Sequence, residues 1–125
     1  MDRIDFSKVY GINEPEIMDN NGKAYVDFIL EAYDSFYAQV LERCGLEDPQ
    51  KNYIENDACS FVNIYLDIVP DGNAFKEYLS VTGDDLPDGD YIIELTKDEA
   101  AQLPDKVYEE TKTILKEYAE DIQRL

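Results

Sequence analysis

No histidine occurs anywhere in this chain, and that absence removes much of the chemistry open to a small protein. It rules out Ser-His-Asp and Cys-His nucleophilic machinery, histidine acid-base work and the commonest transition-metal ligand. The six glycines never fall into the GxGxxG or GxxxxGK[ST] spacing of phosphate-cradling loops. Carboxylate and tyrosine chemistry is what remains, in the form of 29 acidic residues and ten tyrosines. No spacing singles out two carboxylates as an acid-base pair, so no catalytic residue and no cofactor is implied and the chain reads as a non-enzyme.

The Asp-rich turn from Asp84 to Asp90 is the natural place to look for calcium. Placing Asp88-Gly89 at positions five and six of an EF-hand loop puts Leu86 at position three and Leu95 at position twelve. An oxygen and a bidentate Glu are needed there. The same placement at Asp71-Gly72 sets Val69 and Tyr78 in those positions, so neither turn is a calcium loop and no metal site is expected. Cys44 and Cys59 match no zinc or redox spacing and read as free thiols, Cys59 lying just before a strand.

Charge points to the partner. Against 29 acids stand eleven Lys and Arg, a net charge of -18. Such a field repels DNA, RNA and anionic membranes and attracts basic protein surfaces, including those that themselves bind nucleic acid. Tyr supplies contact area at low entropic cost, so Tyr set among carboxylates suits a protein-binding face. Tyr65 leads the candidates because it points away from the apolar side of its strand, between Asn63 and Asp67. With it go Asp67, Asp71, Asp84, Asp85, Asp88 and Asp90, on that strand and the two following turns. The charged outer face of the C-terminal helix is a second candidate, though such faces are commonly only solvated.

The elements that position these residues follow from periodicity. Residues 1–22 read as an irregular lead-in, with a helical turn starting at Pro15 and broken by Asn20-Asn21-Gly22. Val26, Ile29, Tyr33, Phe36, Val40 and Cys44 recur at steps of three and four, which predicts one long helix over 23–44 with Gly45 as its cap. Residues 60–96 read as a β-meander. Val62, Ile64, Leu66 and Ile68 alternate with polar neighbours, Pro70 to Asn73 form a turn, 74–82 fit a strand better than a helix, and Tyr91 to Leu95 complete a third strand. Thr96-Lys97-Asp98-Glu99 is a capping box, and helical spacing resumes after Pro104, so 97–125 is helical.

The expected fold is therefore α+β within a single domain, 1–125: an antiparallel sheet of about three strands flanked by a long N-terminal and a long C-terminal helix. The N-terminus lacks a basic start and an apolar stretch, so the protein reads as cytoplasmic. The function expected from charge, size and missing catalytic groups is that of an acidic inhibitor docking on a basic, nucleic-acid-handling protein. DNA mimics, anti-restriction and anti-CRISPR proteins of bacteria and phages, and immunity proteins for nuclease toxins, work by this physical logic. The alternative is a structural or adaptor subunit, a homodimer whose acidity is incidental.

Overall fold

The computed structural model describes residues 3–54 and 62–123. Its centre is a five-stranded antiparallel sheet in the order β1-β2-β3-β4-β5, formed by Val9–Asn20, Lys23–Ala32, Val62–Asp71, Ala74–Gly83 and Tyr91–Glu94. Helix α1 (Asp34–Arg43) lies between β2 and β3, and α2 (Lys97–Ala100) and α3 (Asp105–Gln123) follow the sheet. The architecture is α+β. The three predicted strands are β3 to β5, the capping box forms with Thr96 and Glu99 in both roles, and the C-terminal helix follows Pro104. The reading for Cys59, and the parts of the 60–96 and 97–125 spans that fall on residues 60, 61, 124 and 125, lie outside the described residues.

The long N-terminal helix does not exist, and the sheet has five strands rather than three. Residues 23–32 form β2 instead, with Val26, Phe28, Leu30 and Ala32 buried on one face. These residues satisfy period two as well as they satisfy helical spacing. The apparent helical stripe arose by reading across the joint between a strand and a real but shorter helix. Only its last part is genuine: Phe36, Val40 and Leu41 are buried on α1. Gly45, at φ +87, does close α1. The amides of Gly45 and Leu46 donate back to Glu42 and Leu41, the paired bonds of a Schellman cap.

Most of the predicted irregular lead-in, Val9–Asn20, is likewise a strand, preceded by a 3-10 turn at Phe6–Lys8. Asn21 and Gly22, at φ 55 and 82, form a two-residue hairpin turn between the paired Asn20 and Lys23. Asn-Gly is the pair such a turn favours, because both residues must take positive φ and match the twist of the strands. Pro15 starts no helix; it sits in an edge strand where the register shifts between Asn13 and Glu16, a position that needs no N–H from it.

One side of the sheet carries the core. Val26, Phe28, Leu30, Ile64, Leu66, Ile68, Leu79 and Val81 pack there with Phe36 and Val40 of α1, Val107 of α3, and Leu95 and Leu103, which flank α2. The N-terminal segment adds Ile4 and Phe6. It is held by Glu99, whose carboxylate accepts from the Ile4 amide at 2.7 Å, the Thr96 amide at 3.0 Å and Arg43 Nη2 at 2.5 Å. Burial alone would raise the Glu99 pKa, yet these donors hold it below its ordinary value. Gln102 adds a second tie, accepting from the Phe6 amide and donating to the Ile4 carbonyl.

Candidate functional site

The other side of the sheet carries no helix among the described residues. Because side chains alternate along each strand, the residues between the core positions all point to this open side. Register then aligns them in rows across the strands. One row runs Glu16–Asp27–Asp67–Tyr78–Glu94, with each residue the direct partner of the next. Beside it runs Asn13–Ile29–Tyr65–Ser80–Ile92. The first row is acidic apart from Tyr78; the second is mixed, with Ile29, Tyr65 and Ile92 set among Asn13 and Ser80. Ile92 is 60% exposed, one of the most exposed large hydrophobic residues described.

The middle of the acidic row is an unfavourable arrangement. Asp27 and Asp67 stand directly opposite each other on neighbouring strands, where like charges destabilise a sheet. Both are half-buried, and Asp67 Oδ1 is shut from solvent without a hydrogen-bond partner. Burial, then a hydrogen bond with the Asp67 side chain and the charge of its carboxylate, push the Asp27 pKa from 3.8 up to about 8, so the pair shares a proton at neutral pH. Glu16 adds to the repulsion from the far side. No cation pairs with Glu16, Asp27 or Asp67 among the described residues; the nearest ion pair on this face joins Lys76 to Glu94 at 4.0 Å.

Tyrosine surrounds the pair. Tyr78 is the direct partner of Asp67, Tyr65 precedes it by two residues on the same face, and Tyr25 stands in the same relation to Asp27. Burial and the nearby carboxylates of Asp67 and Asp27 raise the Tyr25 pKa, keeping its hydroxyl protonated. Carboxylates framed by aromatic rings can receive a cation by charge and by contact with the ring faces.

The structure divides the residues singled out from sequence. Tyr65 and Asp67 lie together on the open face, as alternation requires. Asp71 lies at the β3–β4 turn, whereas Asp84, Asp85, Asp88 and Asp90 lie in the β4–β5 loop. These two turns cap opposite ends of the ten-residue strand β4, which at about 3.4 Å per residue sets them about 30 Å apart. They cannot form one compact patch. Sequence reasoning missed Asp27, Glu16, Tyr25 and Tyr78 as companions of Asp67. The Asn21-Gly22 hairpin is a signal that 9–32 is a strand pair and that Glu16 and Asp27 stand together; the step from Asp27 to Asp67 crosses to β3 and has no such local signal.

The clefts on the helical side offer less. A cleft of about 360 Å³ between β1 and α3 is lined by Phe6, Tyr10, Gln102 and Lys106 among others. Two of its polar side chains are already engaged: Gln102 holds the N-terminal backbone, and Lys106 pairs with Glu110 at 3.6 Å. In a second cleft the Tyr108 hydroxyl donates to Glu77 at 3.0 Å. Among the described residues no three His, Cys, Asp or Glu side chains converge to hold a metal ion, and no helix is long and apolar enough to cross a membrane. Comparison with protein-family models, curated proteins and solved structures finds no match.

Proposed function

We propose that this protein is a non-catalytic acidic binding protein that docks through the open face of its sheet onto a basic protein surface and blocks it. A nucleic-acid-binding groove is the target that best fits a ligand of this charge, since its Lys and Arg side chains already serve to receive anions. The observation that carries the reading is the row Glu16–Asp27–Asp67–Tyr78–Glu94, whose central carboxylates face each other with no cation between them. A carboxylate pair that must hold a proton at neutral pH costs folding stability, and makes physical sense if a cation from outside takes that proton's place.

Two other readings fit less well. A carboxylate pair that holds a proton is a device of acid-base catalysis, but none of the principal clefts is lined by Asp27 or Asp67. A flat face neither encloses a substrate nor excludes water. Self-association through the open face would set acidic rows against each other on chains of net charge -18 each.

The test is affinity capture from bacterial lysate with the tagged protein and its Asp27→Asn/Asp67→Asn variant, at low and moderate salt, read by mass spectrometry. The expected result is one basic, nucleic-acid-handling protein recovered by the wild type at low salt, lost as salt rises and lost in the variant. Recovery of the protein alone, indifferent to salt, would sink the reading.

A further inference from the structure

The rows of the open face have a spacing as well as a composition. Neighbouring strands lie about 4.8 Å apart, so the four steps from Glu16 to Glu94 span about 19 Å. An α-helix presents side chains of one stripe every three or four residues, about 5.4 Å per turn. The two repeats differ by about 0.6 Å per step, a mismatch that the long stems of Lys and Arg absorb over three or four contacts. An extended strand offers side chains on one face about 6.8 Å apart, and the discrepancy grows by about 2 Å with every step.

We infer that the open face is a track for a basic amphipathic helix of the partner protein, laid across the strands with its cationic stripe over Glu16, Asp27, Asp67 and Glu94 and its apolar stripe over Ile29, Tyr65 and Ile92. This rests on the basic-partner reading above and adds the form of the element that docks. Charge complementarity selects the occupant: the acidic row carries one ion pair, at its Glu94 end, and is open at its centre. The adjoining row supplies apolar contact at three of its five places, with Ile29 and Tyr65 as direct cross-strand partners and Ile92 exposed one strand beyond the intervening Ser80. Arg suits the central position best, because its planar fork can bond both Asp27 and Asp67 while lying against the flanking tyrosines.

Synthetic peptides test this against the intact protein. One carries Arg at every third or fourth position with Leu on the adjoining stripe; a second has the same composition in scrambled order. Binding is read by fluorescence anisotropy, and the surface by amide chemical-shift changes. The patterned peptide is expected to bind at least tenfold more tightly than the scrambled one, with shifts centred on Asp27, Tyr65, Asp67 and Tyr78. Asp27→Asn/Asp67→Asn should lose at least tenfold, whereas Glu117→Gln/Glu120→Gln on the exposed side of α3 should lose less than twofold. Thermal unfolding of each variant confirms that it is folded. Equal binding of both peptides at the sheet face would overturn the helical track while leaving a basic partner in place. Binding insensitive to the Asp27/Asp67 change, or no binding at all, would overturn the track and its location; whether a basic partner exists is decided separately by the capture experiment.

Discussion

Two buried or half-buried acidic sites on opposite sides of the sheet received opposite treatment. Glu99 is fully buried and fully served: two backbone amides and Arg43 converge on its carboxylate, which ties the N-terminal segment, α1 and α2 together. Asp27 and Asp67 are half-buried and face each other, with one oxygen of Asp67 unpaired. A carboxylate surrounded by donors stabilises a fold in the state it occupies, whereas two carboxylates facing each other destabilise it. Burial by itself therefore says little about a carboxylate's role; what converges on it does.

The comparison breaks most visibly at Glu99. Glu99→Ala would leave Arg43 without its anion and the Ile4 amide without its acceptor, and should cost about 3 kcal/mol in denaturant unfolding, less if the exposed part of Arg43 recovers water. Asp27→Asn should do the reverse. Removing the need to keep a proton on the pair at neutral pH should stabilise the protein by about 1 kcal/mol, a rise of about 4 °C in Tm, while weakening partner binding. A loss of stability in this variant would contradict the account of the pair.

The two sites also respond oppositely to pH. Asp27, with its pKa raised from 3.8 to about 8, favours folding when protonated. Its contribution is full below about pH 4 and declines as pH rises toward 8. Glu99, held below 4.5, favours folding when ionised, so its contribution is present above that value and lost as pH falls through its lowered pKa. Between pH 5 and 9 the wild type should lose more stability than Asp27→Asn, measured as the difference in unfolding free energy across that range. The smallest effect is expected at Tyr118, whose hydroxyl donates to Asp19 at 2.7 Å in an exposed position. Tyr118→Phe should change stability by no more than about 0.5 kcal/mol.

The second half of the fold was legible because its signals were local and mutually consistent. Alternation in 62–69, the turn at Pro70 to Asn73 and the capping box at Thr96 each name one structure. In 23–44 two periods overlapped, and Val26, Ile29, Tyr33 and Phe36 satisfied a helix that the chain does not form. The Asn21-Gly22 turn held the answer, since a hairpin there obliges both flanking segments to be strands.

Sequence by itself determined the charge of -18, the missing histidine chemistry, and which side of β3 Tyr65 and Asp67 occupy, because these depend on composition or on alternation within one strand. Only the tertiary structure decided that Asp27 meets Asp67 and so joins Glu16 to the row of Tyr78 and Glu94. That contact depends on register between β2 and β3, strands separated by α1, which no local pattern encodes.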